Sequence, residues 1–170
     1  MKARILWCLG VPVLAAGALS LRLPRLDQRP MHTDEAVQAV KSGILLETLT
    51  YTYDPNEFHG PLLHYLALPI MWLTGRRNFA ETTETTFRLV PALLGGVLVL
   101  MHLFLRNGLG SAAAWSAAVS CALSPAMVFY SRYYIPETLL VVCTFAAILS
   151  GPRKPPRPAP ESAYSASRTG

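Results

Sequence analysis

The chain has 170 residues, of which 52% are hydrophobic and only 15% are charged, against about 25% charged residues in an average globular protein. Its apolar residues are concentrated in blocks near the roughly 20-residue length that crosses a bilayer, which argues against a secreted or cytosolic enzyme. The formal charge of +5 does not indicate nucleic-acid binding, because the basic residues flank apolar blocks instead of forming a stripe interleaved with aromatic residues.

The first apolar block, residues 5–21, follows Lys2 and Arg4 and ends before Arg22. A cleaved signal peptide is one interpretation, because small residues lie near the end of the block. Its length and the later apolar blocks favour an uncleaved first transmembrane helix.

Residues 22–85 form a polar connection that holds three of the four histidines and eight of the ten carboxylates. Within this connection, Thr33 is predicted to cap a helix over residues 34–47. Apolar residues recur on one face of that helix, opposite polar ones, which is typical of a helix lying on a membrane surface. The apolar face comprises Ala36, Val37, Val40 and Ile44.

A second short helix is predicted over residues 62–73, with Pro61 at its start and Gly75 at its end. Twelve residues are too few to cross a bilayer, so we expect this helix to lie at the interface.

Three further spans are predicted at about 87–105, 111–130 and 136–150. The proline-rich residues 151–170 cannot bury a core and are expected to be disordered. The fold class is therefore an all-α integral membrane protein with about four transmembrane helices, in which residues 1–150 form one membrane-embedded module.

The distribution of basic residues predicts the orientation of these spans. The connection 22–85 exceeds the roughly 60-residue limit within which the positive-inside rule applies. Once it is discounted, Arg132 occupies the only short outer loop, and a cytoplasmic amino terminus is favoured. We expect a multi-pass protein of the cell membrane whose 22–85 connection faces outward.

The adjacent acids Asp34 and Glu35 begin the first interfacial helix and are the sharpest local feature. One explanation is structural, because the helix macrodipole favours acids at an amino terminus. The other is catalytic, because a carboxylate held at the interface can serve as a base.

Other candidate residues lie at membrane boundaries. Arg88 opens the second span, while Arg132 and Glu137 lie between the third and fourth, where charges are costly enough to suggest function. His59 and His64 are five residues apart, which is poor spacing for two metal ligands on one helical face. For both histidines, interfacial hydrogen bonding to substrate is the favoured role.

The order of these features resembles a known superfamily. A first span is followed, in this order, by the Asp34-Glu35 pair, the segment Gly-Pro-Leu-Leu-His-Tyr at 60–65, Arg88 and the Ser-Pro…Ser-Arg…Glu pattern at 124–137. Residues 1–149 thereby resemble the amino-terminal part of the GT-C membrane glycosyltransferases, which include dolichyl-phosphate-mannose protein mannosyltransferases and lipid A aminoarabinose transferases. The likeness is greatest to the prokaryotic family labelled flippase-activity-associated.

This resemblance implies transfer of a sugar from a polyprenyl-phosphate carrier to an acceptor on the outer face of the membrane. Asp34 then occupies the position of the essential first-loop acid with Glu35 as its neighbour, and Glu137 resembles a second acidic position. The first-loop acid acts directly as a base or by orienting a divalent metal, and the sequence leaves both open. Arg88 and Arg132 are the candidate ligands of the carrier phosphate. The implied partners are the lipid-linked sugar donor and membrane lipid.

The length of the chain departs from that superfamily, whose members have many more spans. The fourth span has about eleven clearly apolar residues before a proline-rich segment begins. We therefore expect a truncated member. The alternative is a non-catalytic membrane protein that assists glycan or lipid-carrier export.

Overall fold

The computed structural model describes the backbone of residues 2–55 and 59–151 and the side chains of residues 7–55 and 59–151. All regular secondary structure in these ranges is helical, which confirms the all-α class. The helices are α1 Lys2–Arg22, α2 Thr33–Thr48, α3 Leu62–Leu73, α4 Glu84–Met101, α5 Arg106–Leu109, α6 Ser111–Leu123, α7 Pro125–Tyr130 and α8 Glu137–Ser150. Short 3-10 turns occupy Phe79–Glu81 and His102–Leu105.

Helix α4 is the central element, and α1, α3, α6 and α8 all pack against it. With its continuation it forms a helical run of 26 residues over Glu84–Leu109, which contains an 18-residue stretch with a mean hydropathy of 2.0 and is long and apolar enough to cross a membrane. The other apolar helices are shorter, namely Trp7–Arg22, Leu62–Leu73, Ser111–Leu123 and Glu137–Ser150. The close approach of α1 depends on small residues, because a Cβ at Gly96 would lie 2.9 Å from a methyl carbon of Leu19.

The predicted span 111–130 is interrupted in its carboxy-terminal half. Helix α6 stops at Leu123 and α7 begins at Pro125, whose missing N–H leaves the carbonyl of Cys121 without its helical partner. Arg22 fills this gap, because its Nη2 donates to the Cys121 carbonyl at 3.2 Å and its Nη1 to that of Ala122 at 3.2 Å. A helix break between apolar helices is thus stabilised by a side chain of α1.

Helix α2 is capped differently from the sequence prediction. His32, not Thr33, is the capping residue: its Nδ1 accepts from the backbone N–H of Asp34, and its own N–H donates to the Glu35 carboxylate. The face of α2 that is buried in the protein is mixed, with Gln38 and Ser42 as polar residues beside the apolar core residues Ala39, Leu45 and Leu46. The predicted apolar face is directed outward at Val37, Val40 and Ile44, which are 39%, 47% and 52% exposed.

Helix α3 has the bounds predicted for it, because its end signals are local. The Pro61 carbonyl accepts the first helical hydrogen bond, from the N–H of Tyr65. Gly75 adopts a left-handed conformation at φ +76°, which lets the N–H of Arg76 bond back to the Met71 carbonyl at 2.8 Å. The predicted tail, 151–170, lies outside the described residues except for Gly151.

Gly43 provides a test of the packing between α2 and the turn Phe79–Glu81. A Cβ at Gly43 would overlap the Phe79 ring, so Gly43→Ala should lower the free energy of unfolding by about 1–3 kcal/mol. Thermal unfolding in detergent measures this loss, and Phe79→Ala in the same background should recover part of it.

The matched control is Gly17→Ala in α1, where a Cβ meets nothing within 4 Å. Alanine is favoured over glycine inside a helix by about 0.5–1 kcal/mol, so this variant should be neutral or more stable. Equal losses for the two variants would contradict the packing described.

Candidate functional site

Glu35 and Arg88 form a buried ion pair beneath the start of α2. Glu35 is fully buried and Arg88 is 1% exposed. Two parallel hydrogen bonds join them, from Arg88 Nε to Oε1 and from Nη2 to Oε2, both of 2.9 Å. This two-point arrangement is the strongest geometry for a guanidinium and a carboxylate.

Arg88 uses all five of its N–H groups within the chain. Besides the two bonds to Glu35, its Nη1 donates to the carbonyls of Leu26 and Arg29, each at 2.7 Å, and its Nη2 to that of Pro30 at 3.2 Å. The segment that follows α1 is therefore wrapped around this side chain. A phosphate oxygen would find no N–H of Arg88 unoccupied in this arrangement.

Glu35 accepts three more hydrogen bonds. The backbone N–H of Tyr134 donates to Oε1 at 2.9 Å, while the N–H of His32 and Nη2 of Arg29 donate to Oε2 at 3.2 and 3.1 Å. Burial alone would raise the pKa of Glu35, but these donors and the Arg88 charge together hold its pKa below the ordinary value. The predicted roles of Glu35 in catalysis and of Arg88 in phosphate binding would require this network to open.

Asp34 has the opposite environment from its neighbour. Its side chain is 73% exposed, and the structure describes one polar neighbour, His32, whose Nδ1 lies 3.5 Å from Oδ2. An exposed carboxylate on a well-fixed helix start can receive a proton from an approaching hydroxyl.

The two predicted histidines lie in different environments. His64 is fully buried, and its Nδ1 lies 2.8 Å from Ser42 Oγ, which in turn lies 2.6 Å from the Tyr134 hydroxyl. This chain of contacts joins α2, α3 and the loop before α8. His59 is exposed, and its carbonyl accepts a hydrogen bond from the Tyr51 hydroxyl at 3.3 Å.

A cavity of about 530 Å³ lies between the segment that follows α1 and helix α7, and we call it the arginine cavity. Four arginines and no carboxylate are among the described residues that line it. Its polar lining residues are Arg25, Gln28, Arg29, Arg88, Arg132 and Tyr133, and its apolar ones are Leu21, Leu26, Leu123, Pro125, Val128 and Phe129. The cavity therefore combines concentrated positive charge with an apolar wall.

Arg132 and Arg29 are held at this cavity by the backbone and by one ring, respectively. Nη2 of Arg132 donates to the carbonyls of Pro24 and Arg25 at 2.7 and 3.1 Å, and its N–H groups on Nε and Nη1 have no acceptor among the described residues. The guanidinium of Arg29 lies over the Tyr133 ring at 3.5 Å, a cation–π contact.

Sequence reasoning identified Arg132 and Arg88 but missed Arg25 and Arg29. Both follow the first predicted span directly, where basic residues are normally explained as flanking charges. The sequence did offer one signal for them, the local density of arginines, because Arg22, Arg25 and Arg29 occur within eight residues.

Glu137 does not lie with these residues. It lines a second cavity, of about 430 Å³, on the other side of α7 together with Arg22, and we call this the Arg22 cavity. No group of three or more His, Cys, Asp or Glu residues within the described ranges could hold a metal ion. The structure thus brings Arg132 to the arginine cavity and places Glu137 across α7 from it. Glu35 is buried beneath the start of α2 and paired with Arg88, which also lines the arginine cavity.

Comparisons with known protein families, with characterised proteins and with solved structures find no match for this chain.

Glu35→Gln tests the buried ion pair. Removing one partner leaves Arg88 buried without a countercharge, so the free energy of unfolding should fall by about 3–5 kcal/mol. Thermal unfolding in detergent measures the loss. Asp34→Asn, at the adjacent exposed position, is the control and should change stability little.

The Glu35–Arg88 pair should also make the stability of the protein depend on pH, with less stabilisation in acid. Folding lowers the pKa of Glu35, so the ionised carboxylate stabilises the folded state. This stabilisation is fully present above the ordinary glutamate pKa of about 4.3 and is lost as the pH falls through the pKa of Glu35 in the folded protein. The difference in stability between the native protein and Glu35→Gln should be constant near neutrality and narrow in acid. A difference that does not change down to about pH 3 would contradict this assignment.

Proposed function

We propose that this chain is part of a membrane-embedded glycosyltransferase that takes a sugar from a polyprenyl-phosphate carrier at the outer face of the membrane. The observation that carries the proposal is the arginine cavity, whose charge and apolar wall suit a phosphate attached to a long hydrocarbon chain. Guanidinium groups match phosphate oxygens two at a time. The apolar wall supplies surface for the first isoprene units.

Asp34 is the proposed base. Its neighbour Glu35 also binds Arg29, so the helix start that carries Asp34 is tied to the cavity wall. In the proposed step, the acceptor hydroxyl oxygen forms a bond to the anomeric carbon, and the bond from that carbon to the phosphate oxygen breaks. The hydroxyl proton passes to the Asp34 carboxylate, and the bonding electrons leave with the polyprenyl phosphate.

Arg132 and Arg25 supply the positive charge that stabilises the departing phosphate. Nε and Nη1 of Arg132 have N–H groups that the described part of the chain does not use, and Arg25 is exposed beside them. A phosphate monoester is a good leaving group when cations bind it, so this step needs no general acid.

The convergence of helix ends supports a multi-pass arrangement. The segment after α1, the first turns of α4 and the loop between α7 and α8 meet at Glu35 and Arg88. At the other end of the bundle, Trp7 of α1 lies against Trp115 of α6 at 5.4 Å, and Arg106 of α5 lies over the Trp7 ring. We propose that α1, α4–α5, α6–α7 and α8 cross the membrane in alternating directions, with the amino terminus cytoplasmic.

A second candidate function is non-catalytic binding of the lipid carrier in a glycan-export system. The observation that favours it is the lack of a carboxylate among the described lining residues of the arginine cavity. Such a protein would bind the carrier through the same arginines and leave its sugar attached.

Asp34→Asn distinguishes the two functions. The amide keeps the shape of the side chain but has no basicity, so release of polyprenyl phosphate from the sugar donor should fall about 100-fold or more. The assay uses membranes that contain the chain, at saturating donor. Glu35→Gln is the comparison variant, expected to lose stability as well as rate.

Near-normal turnover by Asp34→Asn would end the assignment of Asp34 as a base. Donor binding without turnover by the native protein would instead support the non-catalytic function.

Arg132→Gln tests the phosphate site itself. Loss of charge-assisted hydrogen bonds should raise the Kd for polyprenyl phosphate about tenfold or more. Binding is measured by titration of the detergent-solubilised protein with a short-chain polyprenyl phosphate. Arg106→Gln, at the opposite end of the bundle, is the matched control and should bind as the native protein does.

A further inference from the structure

The Arg22 cavity is separate from the arginine cavity and takes no part in the proposed transfer. It occupies about 430 Å³ among α4, α7 and α8 and has polar and apolar sides. Arg22, Ser131 and Glu137 contribute polar groups, and Leu98, Met127 and Val141 contribute apolar ones. A cavity of this size accommodates a small polar group with part of an attached chain.

Arg22 is a buried cation whose charge is incompletely matched. Its side chain is fully buried, and it donates to the carbonyls of Ala18, Cys121 and Ala122. No carboxylate pairs with it within the described part of the chain, and its Nε has no hydrogen-bond partner there. The helix break accounts for two of its N–H groups and the Ala18 carbonyl of α1 for a third, which leaves Nε–H and one N–H on Nη2 without a described acceptor.

Arg22, with its unpartnered Nε, is among the residues that line the cavity. A Cβ added to Gly95 would come within 2.9 Å of Nε and 2.5 Å of the Ser131 Cβ, and both Gly95 and Ser131 line the cavity. Glycine at this position therefore lets the guanidinium and Ser131 pack directly against α4 at the edge of the cavity. Buried cations are normally paired, so an anion drawn from outside the chain would complete this site.

We propose that the Arg22 cavity binds the headgroup of a zwitterionic phospholipid, with its phosphodiester toward Arg22 and its ammonium toward Glu137. Glu137 is exposed at the start of α8, whereas Arg22 is buried, so the cavity has a negative rim and a positive floor. A purely anionic ligand would gain from Arg22 and be repelled by Glu137. The apolar residues lie where the first carbons of an acyl chain would follow the phosphate.

This inference does not depend on sugar transfer, because neither Arg22 nor Glu137 enters the proposed reaction. The lipid proposed for the Arg22 cavity also differs from the polyprenyl carrier, because it must carry an ammonium group to pair with Glu137. Failure of one proposal therefore leaves the other standing.

The test measures lipid binding to the full chain by native mass spectrometry, with phosphatidylethanolamine, phosphatidylglycerol and inorganic phosphate as probes. We expect phosphatidylethanolamine to bind about tenfold more tightly than phosphatidylglycerol, because only its ammonium pairs with Glu137. Glu137→Gln should abolish this preference, and since Glu137 is exposed, this variant should fold. Arg22→Gln should weaken both lipids about tenfold or more, and Arg106→Gln is the matched control.

Equal binding of the two lipids by the native protein would overturn the assignment. A preference that survives Glu137→Gln would also overturn it, even if Arg22→Gln does not fold. Inorganic phosphate that displaces phosphatidylethanolamine at equal concentration would identify a free-anion site and reject the lipid.

Discussion

The hydrogen-bonded pair of Glu35 and Arg88 is the interaction on which the rest of the structure depends. It joins four segments: the start of α2, residues 26–30, the first turns of α4 and the backbone at Tyr134. Desolvation of two charges is offset only when every remaining donor and acceptor is satisfied, and this pair meets that condition. The pair also shapes the wall of the arginine cavity, because Arg88 lines that cavity and Arg29, another lining residue, binds Glu35.

The adjacent acids at the start of α2 show how one sequence feature can place two carboxylates in opposite environments. Successive residues of a helix point about 100° apart, so one carboxylate can face the interior while the next faces outward. Glu35 anchors the fold, and Asp34 is left exposed with its position fixed by that anchor. The structural and catalytic explanations of an acidic helix start are therefore compatible here, one for each residue.

Features with local signals were predictable from the sequence, whereas features that rest on distant contacts were not. The ends of α3 followed from Pro61 and Gly75, and the outward face of α2 followed from its apolar periodicity. The break at Pro125 had a local signal, the proline itself, but the apolar composition of residues 111–130 made that block read as one continuous helix. No periodicity reveals that Arg88 meets Glu35 across 53 residues, or that Arg22 serves the carbonyls of another helix.

Helix α7 separates two cavities while being only six residues long. Val128 and Phe129 line the arginine cavity, and Met127 and Tyr130 line the Arg22 cavity. The helix starts at a break in the α6 axis and ends four residues before Tyr134, which is fixed through both its N–H and its hydroxyl group. A small rotation of α7 that enlarges one cavity must shrink the other. Occupants that never touch would then oppose each other's binding, and thermodynamic reciprocity makes that antagonism equal in both directions.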